Sequence, residues 1–356
     1  MFGTTAKDIE KIRGCLRDKA TSNELAVRRS GSLDRDEVLY GIVSPYRLDI
    51  NKLLECKALR RLQDKTQVIP GNTGNRHIRN RLIHTREVVA NARLISEILG
   101  LNSDLAEAMA WGHDIGHTPF GHIGENKISE LGQKTFHHFV FSVVIAQHIE
   151  RAGLGLSLTK NTLKGILQHS RGKGKALTND NMSLEAKVVM FSDKLAYTYG
   201  DISDIFYRGF VNLKKHPALE YKINRFGGTT PNRVLATIFE LCRESAEAND
   251  VVFKHSEAAK LFEEIKAYLY ENIYYQLNRD PLLNPILEAT YDIIIKLGLD
   301  LDPAVVLALM TDEETKTLAE AGYRSGKNIF PNLGIFEIVQ AINGKEIDFA
   351  DPDLDW

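Results

Sequence analysis

Helical periodicity is the strongest constraint that this 356-residue chain places on its own fold. Apolar residues recur at the spacing of one helix face through segment after segment, while the period-2 alternation of a half-buried strand is nearly absent. Within Ile78–Leu99, the residues Leu82, Val89, Ala92, Ile95 and Leu99 fall near one stripe, and Gly100 supplies the stop. Ser103 offers an N-cap to a helix over Asp104–His117, which ends at Thr118-Pro119-Phe120-Gly121. The same spacing predicts helices over Phe139–Ala152, Thr162–His169, Leu184–Tyr199, Pro231–Asn249 and Glu257–Asn278. Weak strand character is confined to Asn328–Phe349. Proline, a helix breaker, occurs only 10 times, so few segments are interrupted. The expected fold class is mainly α.

Three stretches punctuate the helices. Pro70–Asn75 is a turn cluster, Arg171–Lys175 a basic glycine loop, and Asp348–Trp356 an acidic tail expected to fray in solvent. No repeat or clear linker divides the chain. The expected organisation is an N-terminal helical segment (1–56), a core (57–215) and a C-terminal helical extension (216–356) packed with the core as one unit. Forty-five Lys and Arg against 47 Asp and Glu leave a net charge of −2, which argues against a generic nucleic-acid coat or a basic membrane-surface protein. Cys15, Cys56 and Cys242 are unpaired by spacing, so neither a disulfide framework nor a CxxC zinc site is available. No apolar run approaches the roughly 18 residues of a spanning helix, and the opening MFGTTAKDIEKIRG lacks the apolar centre of a secretory leader. These features predict a protein of a reducing compartment, cytoplasmic and without membrane contact.

The chemistry is concentrated in one string. Gly112-His113-Asp114-Ile115-Gly116-His117-Thr118-Pro119-Phe120-Gly121-His122-Ile123-Gly124-Glu125 holds three His, one Asp and one Glu in 14 residues. His117 falls one helical turn after His113, and the Pro-Phe-Gly break lets His122 and Glu125 approach from another direction. So many ionisable groups beside the apolar run Ala108-Met109-Ala110-Trp111 cannot be there for packing alone. Mixed His and Asp donors favour a divalent cation of the Mn, Fe, Co, Ni or Zn type over Ca. Further ligands must come from elsewhere; His84 lies 29 residues earlier, and Asp193, Tyr197 and Asp201 share one helix face at i, i+4, i+8. Just upstream, Lys52–Arg86 carries nine basic and two acidic residues, a net +7 suited to a polyphosphate-binding wall.

The order His84 … His113-Asp114 … Asp193 resembles the HD superfamily of metal-dependent phosphohydrolases. The longer string HDIGHTPFGHIGE, with Arg60-Arg61-Leu62-Gln63-Asp64-Lys65-Thr66-Gln67-Val68 upstream, resembles deoxyguanosinetriphosphate triphosphohydrolases and related dNTPases over roughly residues 45–210. A fainter echo follows at Met310-Thr311-Asp312. The chain departs from the usual pattern at Phe139-Val140-Phe141, where relatives carry Asn and Gln, and in reading His-Thr-Pro for His-Pro-Pro. The resemblance implies an HD-domain helical core at 57–215. It further implies His84, His113, Asp114 and Asp193 as metal ligands, with His122 and Glu125 as a catalytic pair and His138 as a further catalytic His. Arg81 and Lys194 would contact phosphates, and His117 would hold a supporting or phosphate role. Tyr197 and Asp201 would contact the deoxyribose, and Gln67 the sugar or base. One divalent ion is implied, Mn2+ or Mg2+ first, with Fe, Co, Ni and Zn also suited. The expected substrate is a dNTP, dGTP foremost, in a homo-oligomer, hexamer or tetramer by analogy, with single-stranded nucleic acid as a further partner. His169 is expected near the cleft. A P-loop is excluded, since Gly322–Asn328 is one residue short and lacks the final Ser or Thr. Two readings stay open beside this one: another HD nucleotidase or signalling-nucleotide hydrolase, and a nucleotide-sensing or nucleic-acid-binding regulator.

Overall fold

The computed structural model describes residues 2, 5–29, 36–39, 41–67, 77–170, 182–207, 212–274 and 281–356. The expected turn cluster Pro70–Asn75, the basic loop Arg171–Lys175, and Val68 and Arg76 lie outside these residues. The fold is mainly α, and the β feature among the described residues is one isolated bridge, Thr66 to Asn80. The first part of the chain contributes α1 (Ala6–Ile12), α2 (Pro45–Glu55), α3 (Lys57–Arg61), α4 (Arg81–Leu99) and α5 (Ser103–Gly112). Then follow α6 (His122–Leu131), α7 (His138–Val144), α8 (Glu150–Gly153), α9 (Lys160–Gln168) and α10 (Leu184–Tyr207). The remainder supplies α11 (Pro217–Phe226), α12 (Thr230–Ala248), α13 (Glu257–Leu269), α14 (Leu283–Leu297), α15 (Pro303–Leu309), α16 (Asp312–Ile329) and α17 (Phe336–Ile342).

Local chemistry sets the ends of the helices that matter most. Asn80 caps α4 by accepting from Ile83 N, and Gly100 closes it at φ 80°. Asn102, rather than the expected Ser103, caps α5, because its side chain reaches Leu105 N while also donating to the Thr21 carbonyl. The helix stops at Gly112, short of the expected His117, and the HD string continues as turns. The Phe139–Ala152 helix is also broken. It passes into a π-turn at Ile145–Ile149 and ends with Arg151 and Ala152 at positive φ.

The strand expectation at Asn328–Phe349 is overturned. Ile335, Ile338, Val339 and Ile342 are all buried, an i, i+3, i+4, i+7 stripe that makes α17 a helix. The acidic tail does not fray over its last turn. Trp356 Nε1 donates to Gln147 Oε1 at 3.1 Å, Gln147 Nε2 donates to the Pro352 carbonyl at 2.6 Å, and Asp353 pairs with Arg29 at 2.6 Å.

Two apolar clusters form the interior. One is built from α4, α5, α10 and α11–α13, around Val88, Ala92, Ile95, Val188, Leu195 and Phe262. The other joins α3, α6, α7 and α9 to α14–α17, around Leu62, Ile115, Phe120, Phe141, Ile166 and Leu309. Central α4 packs on α5 and α10, α9 bridges to α5 and α7, and α14 and α15 pack on α6. The ionisable groups of the HD string gather where these clusters meet.

Candidate active site

Arg81 opens α4 and His84 follows one turn later, so both point at the end of α5. His113 caps α5, and its Nδ1 donates to the Ala110 carbonyl at 2.7 Å. That bond fixes the tautomer and leaves Nε2 as a buried lone pair without a partner. His84, His113 and Asp114 each place a ligand atom within 4.8 Å of the others. Asp193, from α10, joins the trio through His84, its Oδ1 lying 3.0 Å from His84 Nε2. Burial opposes its ionisation, yet the His84 hydrogen bond and charge hold the Asp193 carboxyl down at about 2. An orphaned imidazole nitrogen beside a second imidazole and the Asp114 carboxylate, with Asp193 on that second imidazole, is a donor set that suits a divalent transition ion.

Asp114 is the centre of the arrangement. Its Oδ2 accepts from Arg81 NH1 at 2.8 Å. Its Oδ1 faces three imidazole nitrogens, His113 Nε2 at 3.6 Å and His117 and His138 Nε2 both at 3.9 Å. Burial works against this carboxylate, but His113, Arg81, His117 and His138 hold its pKa well below the usual range.

The other side is assembled by a turn. Phe120 has φ 57° and Gly121 φ 61°, a reversal that carries the chain from His117 to His122. The Phe120 conformation is held from the C-terminal region, since Asp312 Oδ1 accepts Phe120 N at 2.9 Å while Oδ2 accepts Thr66 N at 3.0 Å and the Thr66 hydroxyl. Lys65, buried, donates to the carbonyls of His117 and Ala308. A Cβ at Gly116 would collide with the backbone of Ser142 and His138. The absence of one lets α7 close onto the turn, where Ser142 Oγ accepts Gly116 N at 2.8 Å and donates to the His113 carbonyl at 3.0 Å.

Glu125 serves two histidines. Its Oε1 takes a short hydrogen bond from His138 Nδ1, and its Oε2 lies 3.5 Å from His122 Nδ1. The tighter partner is therefore His138, not the His122 that the sequence paired with it. Burial lowers the His138 pKa, but Glu125 and Asp114 together raise it above the ordinary value. His117 stacks on His138 at 4.2 Å and is held neutral by burial and by Arg81. His122 is 60% exposed, open to an incoming molecule. His169, at the end of α9, packs edge-on to His113 at 5.0 Å, and burial with the neighbouring His113 and His138 pushes its pKa down to about 3.

The remaining expected contacts are spread around this centre. Gln67 turns Oε1 inward without a partner, and its carbonyl lies 3.4 Å from Arg81 NH2. Lys194 lies over the Phe191 ring at 5.5 Å. Tyr197 bonds Tyr270, and Asp201 accepts the Tyr274 hydroxyl at 2.6 Å. Burial pushes the Asp201 carboxyl up to about 7. Tyr270 and Tyr274 sit in a π-turn about 75 residues downstream, and nothing in their local sequence marked them. The basic segment does not form one wall. Lys57 pairs with Glu337, Arg79 is held by Glu87 and Asp204, and Arg86 is exposed, while Arg61, Lys65 and Arg81 turn inward.

A helical fold that buries His84, His113 and Asp114 beside a partly exposed Asp193 defines the class, and the HD domain family matches residues 81–198. Over 252 residues the chain is 35% identical to a deoxyguanosinetriphosphate triphosphohydrolase-like protein of Desulfatibacillum aliphaticivorans, covering 69% of this chain and 71% of that one. It is 38% identical over 250 residues to a protein of the same description from Caldanaerobacter subterraneus subsp. tengcongensis, covering 69% and 70%. The chain belongs to this deoxyguanosinetriphosphate triphosphohydrolase-like family of HD-domain, metal-dependent phosphohydrolases. No helix among the described residues is long and apolar enough to cross a membrane.

Proposed function

We propose that the protein hydrolyses a deoxynucleoside triphosphate, dGTP foremost, to deoxynucleoside and inorganic tripolyphosphate. The observation that carries this reading is the hub at Asp114, which puts three imidazoles on one carboxylate oxygen and a buried guanidinium on the other. The names of the relatives support the substrate class. His84, His113, Asp114 and Asp193 would hold one divalent ion, Mn2+ or Mg2+ first. When bound, that ion supplies electrostatic stabilisation of charge growing on the α-phosphoryl oxygens.

The chain's own residues do the rest. Arg81 reaches the same oxygens from the opposite side of Asp114, and Lys194 takes the distal phosphates. A water oxygen bonds to the α-phosphorus while the bond from phosphorus to the 5′ oxygen breaks. The departing 5′ oxygen takes a proton from the imidazole side of the site, where Glu125 favours the charged form of His138 and lies 3.5 Å from His122 Nδ1. Tyr197 lies beneath the sugar, and the Asp201 oxygen not used by Tyr274 accepts the 3′-hydroxyl. A 2′-hydroxyl against this wall leaves polar groups unpaired, which costs a few kcal/mol and disfavours ribonucleotides. A homo-oligomer belongs to the same reading, and the N-terminal segment exposes Leu25, Val27, Val38 and Ile42. Chromatography after incubation with a nucleotide panel tests it. Deoxynucleoside and tripolyphosphate are expected, and a diphosphate with orthophosphate as the primary products contradicts it.

A further inference from the structure

We infer that residues 345–356 form a clasp on both flanks of α7, and that Gln147, Phe349 and Trp356 within it are positioning residues for His138. The inference rests on the proposed hydrolysis only in taking His138 as one of its proton-handling groups.

The clasp meets the chain before α7 and again after it. On the near flank Asp348 pairs with Lys134, and the buried Phe349 packs on Phe136 with ring centres 5.5 Å apart. Phe136 is fixed in turn, its N donating to Ser129 Oγ at 2.9 Å and its ring lying 5.1 Å from that of Phe141 in α7. His138 follows two residues later. On the far flank Gln147 uses both ends of its amide. Nε2 donates to the carbonyls of Pro352 at 2.6 Å and Asp353 at 2.9 Å, while Oε1 accepts Trp356 Nε1 at 3.1 Å. The adjacent His148 lies 3.1 Å from the Asp353 carboxylate, which Arg29 also holds. Lys160, opening α9, lies over the Trp356 ring at 5.1 Å. Lys345 donates to the carbonyls of Ala152 and Gly153 at 3.3 and 3.0 Å, where Arg151, Ala152 and Gly153 all have positive φ.

The helix so held is one that needs holding. It has only seven residues, and His137 gives it no side-chain cap. A helix of that length draws its stability from packing, since isolated helices under about 12 residues are marginal in water. It then passes into the π-turn that carries Gln147 and His148, and such turns are rare and cluster at functional sites. Residues 345–356 contain no helix or strand of their own, so their order comes from what they touch. On the side of the site, α7 is tied by Ser142 to Gly116 and by His138 to Glu125. The clasp completes that hold from outside the site. A shift of α7 carries His138 with it, and a misplacement of about 1 Å at a reacting group can cost roughly 100-fold in rate.

The test is a double-variant cycle on the full chain with Mn2+ bound. Gln147→Ala and Trp356→Ala should each lower kcat by roughly 10- to 100-fold, with KM and Mn2+ stoichiometry unchanged. His138→Ala should lower kcat by roughly a hundredfold or more. Gln147→Ala combined with His138→Ala should be no slower than His138→Ala alone, because the clasp then has nothing to position. Retained Mn2+ stoichiometry shows that each variant has folded. If Gln147→Ala slows the His138→Ala chain by the same factor as it slows the unmodified chain, the clasp does not act through His138 and the proposal is overturned. Unmodified rates in both clasp variants, or in His138→Ala, overturn it as well. The cycle uses whichever nucleotide the protein turns over, so products other than deoxynucleoside and tripolyphosphate contradict the substrate reading and leave the clasp result standing.

Discussion

His84, His113 and Asp193 stand on or at the end of three helices packed on one another, whereas His117 and the first turn of α6, with His122 and Glu125, are joined by a turn with two consecutive residues at positive φ. On the helical side, direction follows from core packing, since α4, α5 and α10 pack directly on one another. On the turn side, direction is imposed by side chains from elsewhere. Asp312 holds Phe120 and Thr66, Lys65 holds the His117 carbonyl, and Ser142 ties α7 to Gly116 and His113. The difference separates two tasks. In the function proposed above, a cation site is set on rigid elements, while the proton-handling groups depend on long-range pins.

Asp114 belongs to both sides, so its loss has the largest effect. Asp114→Ala should lose the tightly bound ion and the activity together, with cation affinity down by more than the roughly 10- to 100-fold that supporting partners cost. Stoichiometric metal retained by that variant would remove the helical half from the account. His122→Ala reaches the turn side alone. It should keep the ion and still bind nucleotide, with turnover down by roughly a hundredfold or more, the scale of a lost general acid. Glu125→Ala should act alike, and the double variant should be little worse than either, because coupled groups are not additive.

Asp312→Ala sharpens the contrast further, since Asp312 touches the turn and no ligand of the ion. Removing an acceptor shared by three donors should cost on the order of 3 kcal/mol of stability. Turnover should fall while ion affinity stays near that of the unmodified protein. Equal losses of both would show that the two halves are not separable. The smallest effect concerns pH. Burial raises the folded pKa of Asp201 to about 7, above the ordinary aspartate value of about 4, so between those values the folded chain binds more protons than the unfolded chain. Stability of the metal-free protein should therefore fall as pH rises from about 4 to about 7, and Asp201→Asn should flatten that part of the melting profile.

The helical half was the more legible in the sequence for a physical reason. The i, i+4, i+8 spacing of Asp193, Tyr197 and Asp201 and the His113-Asp114 pair at a helix end are local patterns that the helix period translates into direction. In the His/Glu half the His122–Glu125 pair was legible and lies at 3.5 Å, but the shorter bond from His138 was not. Only the fold shows that Glu125 bonds His138 more tightly than His122. Asp312, Tyr270 and Tyr274 were hidden because each acts on a residue more than 70 positions away, beyond any periodic signal. The same holds for the tail, whose Trp356 finds Gln147 across the chain. The basic segment failed as a wall because helix geometry turns neighbouring Lys and Arg to different sides.

The central claim is that both halves converge on the α-phosphorus, and hydrolysis of dGTP in 18O-labelled water tests it most directly. Attack there puts one 18O into tripolyphosphate and leaves the deoxynucleoside unlabelled, and that is the expected result. Label recovered in orthophosphate, with dGDP as the companion product, would place the chemistry at the γ-phosphate and contradict the account.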